Sequence, residues 1–172
     1  MRRSKRSTGL PVSPAYILYF VAVLIILLGL HFVKETWHPV TVVGTSMLPT
    51  YRSGEIVATE SYSSPADVQV NDVVIAQVAA DDGKQLIKRV VGLPGDVIQI
   101  ANGCIYRNSI LIEEDFPYME DAGVAAKPYH IPEGYFFLLG DNRNNSIDSR
   151  VFGPVSYEEL YGKVTGPLFG QH

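Results

Sequence analysis

Three short segments carry residue types suited to chemistry. In Gly44-Thr45-Ser46-Met47-Leu48-Pro49-Thr50, a β-branched run ends and the chain turns at Pro49. A Ser at that junction can present its hydroxyl outward, with backbone N–H groups nearby. Lys88 follows Leu86-Ile87 in an apolar strand, where its amine is expected to be partly buried, and leads into Arg89-Val90-Val91-Gly92-Leu93-Pro94-Gly95-Asp96. Gly140-Asp141-Asn142-Arg143-Asn144-Asn145-Ser146-Ile147-Asp148-Ser149-Arg150 is a dense polar loop after the most aromatic strand. A Ser hydroxyl is a weak nucleophile and needs a nearby base. A lysine amine can be that base only when neutral, and apolar burial lowers its pKa from about 10.4 by disfavouring the ammonium form. Ser-Lys pairs are known variants of triad logic. A Ser-His-Asp triad is the alternative, and it would have to use His130, in the loop Lys127-Pro-Tyr-His-Ile-Pro.

Other schemes fail on pattern. The chain has no HExxH, no GxxxxGK[ST] and no GxGxxG. Ser46 is not in a GxSxG elbow, and no Lys follows a Ser at SxxK spacing. The single Cys, Cys104, excludes a disulfide framework and a cysteine-based zinc ribbon. No cofactor or metal is expected.

The elements that must position these segments begin with a membrane anchor. Up to Lys34 the chain holds five basic residues (Arg2, Arg3, Lys5, Arg6, Lys34) and no acid. The remaining nine basic and eighteen acidic residues leave the rest at −9. An acidic body argues against a nucleic-acid partner. No charge occurs between Arg6 and Lys34, and a helix over 15–33 would be roughly 28 Å long, close to the hydrocarbon thickness of a bilayer. Tyr16, Tyr19 and Trp37 sit near its ends, where amphipathic rings favour the interface. The basic cluster orients the tail (1–14) to the cytoplasm and the domain over 34–172 outside. Leu30-His31-Phe32-Val33-Lys34 offers no small-x-small cleavage pattern, which argues against a cleaved secretory signal.

Beyond Trp37 the pattern predicts a mainly β body of coiled antiparallel sheets, barrel-like in character. Strands are expected at Val40–Val43, Glu55–Glu60, Asp72–Val78, Gln85–Val91, Asp96–Ile100, Cys104–Arg107, Ile110–Ile112, Tyr135–Leu139 and Lys163–Thr165. Asn102-Gly103 signals a tight hairpin. Ser156-Tyr-Glu-Glu159 has the spacing of a capping box and predicts a short helix. The segment from Glu113 to Pro132 reads as an irregular surface excursion.

Taken together, the three segments resemble the bacterial type I signal peptidases, in their shorter single-anchor form. The resemblance covers nearly the whole chain. It rests on the basic tail and anchor, on Ser46-Met47-x-Pro49-Thr50, on Lys88-Arg89-Val90-x-Gly92-x-Pro94-Gly95-Asp96, and on Gly140-Asp141-Asn142-Arg143-x-Asn145-Ser146-x-Asp148-Ser149-Arg150. It implies a membrane-anchored serine endopeptidase acting on signal peptides of secreted preproteins at the plasma membrane, cleaving after small-x-small sites. Ser46 would be the nucleophile and Lys88 the general base. Ser146 would orient the lysine amine, Asp148 and Arg150 would pair to support the loop, and Asp141 would brace it. Val42, Gly44, Met47, Tyr51, Leu86 and Ile87 would bind substrate. The Ser46 backbone N–H would serve the oxyanion, and Gly44 lacks the side-chain hydroxyl that some relatives carry two residues before the nucleophile. The rival readings are a related Ser-Lys processing peptidase with a narrower substrate and a non-catalytic membrane-anchored binding module. The presence of both Ser46 and Lys88 weighs against the second.

Overall fold

The computed structural model describes residues 13–36, 38–79 and 83–168, with side chains of the first helix described as far as residue 29. The basic cluster at 2–6, the side chains of His31 to Trp37, and His172 lie outside the described residues. The chain divides into two compact units, Met1–Thr36 and Trp37–His172.

The first unit contains α1 (Pro14–Thr36, 23 residues). Ser13 starts it: its hydroxyl accepts from Ala15 N at 3.3 Å, and Pro14 follows, where a missing N–H costs nothing. Tyr16, Leu18, Phe20, Leu24, Ile26 and Leu28 are all more than half exposed, so apolar side chains cover the helix all round. Among the described residues no helix is long and apolar enough to cross a membrane. The unit ends at Thr36, three residues later than the 15–33 span expected for the anchor.

The second unit is mainly β. Its strands are β1 (His38–Thr41), β2 (Ile56–Glu60), β3 (Val73–Val78), β4 (Lys84–Gly92), β5 (Val97–Ala101), β6 (Cys104–Arg107), β7 (Ile110–Leu111), β8 (Tyr129–His130), β9 (Tyr135–Leu139), β10 (Val155–Ser156) and β11 (Leu160–Pro167). A single turn of helix, α2 (Ser149–Phe152), precedes β10. All pairings are antiparallel. One sheet runs β1-β2-β11-β3-β4-β9-β10 and the other β7-β6-β5-β8. Among the described residues the first sheet ends at β1 and β10 and the second at β7 and β8, a mainly β body of antiparallel sheets as the sequence pattern predicts.

Local chemistry explains most of these elements. Asn102 and Gly103 turn β5 into β6 with φ of 51° and 76°, the left-handed pair that a two-residue hairpin requires. Ser156 N donates to Glu159 Oε2 at 2.9 Å, as the capping spacing predicts, but the element is one 3₁₀ turn, Tyr157–Glu159. The excursion from Glu113 contains one 3₁₀ turn (Gly123–Ala126) and the two-residue strand β8.

The larger sheet is buried on both faces, which is why β3 reads as a nearly continuous apolar run. On one face Val73, Ile75 and Ile87 pack with Val42, Met47, Val57 and Val164. On the other, Val74, Ala76 and Val90 pack with Phe136, Leu138 and Val155. Phe137 and Leu139, alternating along β9, join Ile98, Ile100 and Ile105 of the smaller sheet. Each such aliphatic side chain contributes roughly 1.5–3 kcal/mol when removed from water. The consequence for chemistry is that β4 lies between β3 and β9 in the middle of a packed sheet. A side chain on it is held rigidly.

Candidate active site

Lys88 is on β4, opposite Val74 of β3. It is 2% exposed, and its Nζ lies 2.9 Å from Ser46 Oγ. Ser46 comes from the turn that follows β1. There Leu48 N donates to Thr45 O at 3.2 Å and Tyr51 N to Met47 O at 2.9 Å, and Met47, 1% exposed, plugs the turn into the core. The two residues are 42 apart in sequence, and core packing beneath each of them fixes their meeting.

The Gly140–Arg150 loop clasps the Ser46 turn. Asn142 N donates to Ser46 O at 2.9 Å, Asn142 Nδ2 to Thr45 O at 3.1 Å, and Asn145 Nδ2 to Thr45 Oγ1 at 3.1 Å. The approach is close enough to require glycine at 140. A Cβ there would sit 2.2 Å from Ser146 Oγ and 2.6 Å from Ser46 O. Gly140→Ala must therefore push the loop off the turn. We expect kcat/KM to fall about 100-fold, the scale that a 1 Å misplacement of catalytic groups produces. Peptide turnover by the purified variant measures this.

Asp141 and Asp148 anchor the loop at its two ends. Asp141, fully buried, accepts from Arg89 Nε at 2.7 Å and Arg89 Nη2 at 2.6 Å, and from Thr50 Oγ1 at 2.5 Å. It thus ties the strand bearing Lys88 to the turn bearing Ser46. The Asp141 carboxylate in turn raises the pKa of the Arg89 guanidinium. Burial pushes the nearby Tyr51 phenol up, and Arg89 partly offsets this. Asp148 and Arg150 form the expected ion pair, with Nε to Oδ1 and Nη2 to Oδ2 both 2.9 Å. Asp148 also accepts from Gly140 N at 3.1 Å, and Arg150 donates to the carbonyls of Arg143 and Asp121 at 2.5 and 3.1 Å.

Ser146 departs from expectation. Its hydroxyl is buried without a hydrogen-bond partner among the described residues and packs against Gly140, so it makes no bond to the lysine amine. It does border the same cleft as Lys88. His130 is on β8, opposite Val97 in the smaller sheet, and plays no part at Ser46.

Two clefts meet at Ser46. The first, about 170 Å³, lies between the chain at Val40–Val43 and β4, with Leu86, Ile87 and Lys88 along the far side. The second, about 290 Å³, is bordered by Gly44, Thr45 and the loop residues Asn145, Ser146 and Ile147. Val42, Leu86 and Ile87 therefore line the first cleft and Gly44 the second. Met47 and Tyr51 are packed in and against the core under the site and line neither.

Sequence reasoning missed a further layer of support. Arg143, buried, pairs with Glu114, and the Phe116 ring lies 4.6 Å from the Arg143 guanidinium carbon and 5.5 Å from that of Arg89. The excursion that read as surface thus returns to pack its acid on Arg143 of the loop and its ring against both Arg143 and Arg89 of β4. The available signal was alternation: Arg89, next to Lys88 on a strand, must face the other way and needs its own partner.

The family model for signal peptidase, peptidase S26, matches residues 14–169. A probable signal peptidase I-1 of Synechocystis is 34% identical over 160 residues, covering 88% of this chain and 80% of that one. A signal peptidase I of Bacillus amyloliquefaciens is 34% identical over 166 residues, covering 88% and 82%. A thylakoidal processing peptidase of Arabidopsis thaliana is also 34% identical, over 139 residues, and this chain spans 40% of its length. A crystal structure of a signal peptidase I from Enterococcus faecalis aligns with TM-score 0.48 at 27% identity, over 58% of this chain and 97% of that one. The chain belongs to the peptidase S26 family, and it is an enzyme of the signal peptidase I type.

Proposed function

We propose that the chain removes signal peptides from exported preproteins with Ser46 as nucleophile and Lys88 as general base. The observation that carries this reading is the 2.9 Å approach of Lys88 Nζ to Ser46 Oγ with the lysine 2% exposed. Burial disfavours the ammonium form, and a neutral amine can take the Ser46 proton. Ser46 Oγ attacks the scissile carbonyl, and the proton held by Lys88 passes to the departing amine. Water then repeats the sequence on the acyl-enzyme, with Lys88 again taking and returning a proton. The Ser46 N–H serves the oxyanion. Asp141, Asp148 and Arg150 hold the loop that fixes the Ser46 turn, and Ser146 borders the lysine as part of the cleft wall.

Substrate binds extended along the first cleft, adding a strand between Val40–Val43 and β4. Val42, Leu86 and Ile87 leave room for small side chains at −1 and −3, with Met47 and Tyr51 as packing beneath. Processing of a preprotein by the wild-type chain and by Ser46→Ala tests the assignment. Persistence of the precursor with the variant alone supports it, and equal processing overturns it.

The proposal includes a single N-terminal membrane anchor with the tail in the cytoplasm. Its support is the charge-free run from Ser7 to Val33, the basic cluster before it, and the apolar surface all round α1. Protease added outside intact spheroplasts should digest the body and spare the tail. A body protected until lysis would reverse the topology.

A further inference from the structure

Ser46, Leu86 and Lys88 border both clefts. If Ser46 and Lys88 are the catalytic pair, as proposed above, an extended chain whose scissile carbonyl sits on Ser46 Oγ leaves one cleft and enters the other. Acylation forms the Ser46 Oγ–acyl bond and breaks the C–N bond, and the proton carried by Lys88 goes to the departing nitrogen. That nitrogen must lie beside Lys88 on the side away from the acyl group. The first cleft takes the acyl side, because it has strand backbone on both flanks, β1 on one and β4 on the other, where the second has β4 on one flank and the Gly140–Arg150 loop on the other.

We propose that the second cleft is the leaving-group subsite and that Ile147 makes it select an apolar side chain in the first two residues of the released chain. Three observations carry this. The cleft is the larger of the two in volume, about 290 Å³ against about 170 Å³, so it has room for more than the small residues of the acyl side. Apart from Lys88 its lining is uncharged. Ile147 is 61% exposed and forms part of its wall, so an aliphatic face remains in water until substrate covers it. The wall is also built in place: Asn145 Nδ2 bonds Thr45 Oγ1 and ties this part of the loop to the Ser46 turn.

The test uses full-length enzyme in detergent and a set of peptides identical on the acyl side, with Leu, Asp or Lys placed separately at +1 and +2. Wild type should prefer Leu over Asp and Lys at one of these positions, on the order of tenfold in kcat/KM, the effect of one good apolar contact in a pocket. Ile147→Asp should shift that preference to Lys at the same position, and Ile147→Ala should flatten it. Both variants should keep the wild-type ranking of acyl-side residues. Because Ile147 is exposed, neither variant threatens the fold. Indifference to the residues at +1 and +2 in wild type, or variants that slow all peptides equally, would overturn the subsite while leaving the Ser46–Lys88 assignment standing. If no peptide is cleaved at all, that assignment fails first.

Discussion

Ser46→Ala and Lys88→Ala are each expected to lower kcat/KM by about four to six orders of magnitude, the range seen when one member of a catalytic unit is removed. The double variant should be little worse than either single one, because the hydroxyl and the amine act together through one contact of 2.9 Å. Lys88→Met separates chemistry from folding. It replaces a buried amine with an apolar chain of similar length, and removing a buried polar group in this way is neutral or stabilising. Lys88→Met should therefore be as inactive as Lys88→Ala but melt at or above wild type. In wild type, kcat/KM on a peptide without titrating residues should rise with pH, because only the unprotonated amine accepts the Ser46 proton. Robust turnover by any of these variants would remove the dyad, and so would a rate that falls steadily between about pH 5 and pH 9.

What could be read in advance was chemistry carried by local rules or by dense motifs. Asn102-Gly103 needs only its own backbone to form a hairpin. Ser46, Lys88 and the Gly140–Arg150 loop stood out because apolar strands flank polar residues that a core would otherwise exclude. The rest depends on distant partners. β8 and β10 are two residues each and exist because β5 and β9 offer open edges. β11 extends well past Lys163–Thr165 because it fills the gap between β2 and β3, and two register shifts near its glycines obscure its alternation. The loop's ties to Arg89, Thr50, Glu114 and Phe116 span 27 to 91 residues, and no spacing rule announces a contact of that range. The missing Ser146 contact is the converse case. The motif names the residue, and the close approach of Gly140 decides where its hydroxyl rests.

Asp148→Ala is expected to destabilise the body by roughly 3–5 kcal/mol, the cost of stranding one member of a buried ion pair. Asp148 is fully buried and Arg150 is 6% exposed, so water cannot rescue the guanidinium left behind. Two backbone donors also lose their acceptor, Gly140 N and Arg150 N. Against a total stability of about 5–15 kcal/mol this is a large fraction. It should appear as a fall in Tm of about 10 °C or more. Activity should fall further than unfolding alone explains, because Asp148 fixes the backbone at Gly140, against which Ser146 and the Ser46 carbonyl pack. Asp148→Ala combined with Arg150→Met distinguishes stability from positioning. Removing both charges should restore part of the lost Tm, since no charge is then left buried. It should not restore kcat/KM, because Gly140 N and the Arg143 and Asp121 carbonyls still lack partners. A stable and active Asp148→Ala protein would show that the loop holds its shape through its other ties, those of Asp141, Asn142, Arg143 and Asn145, without the ion pair.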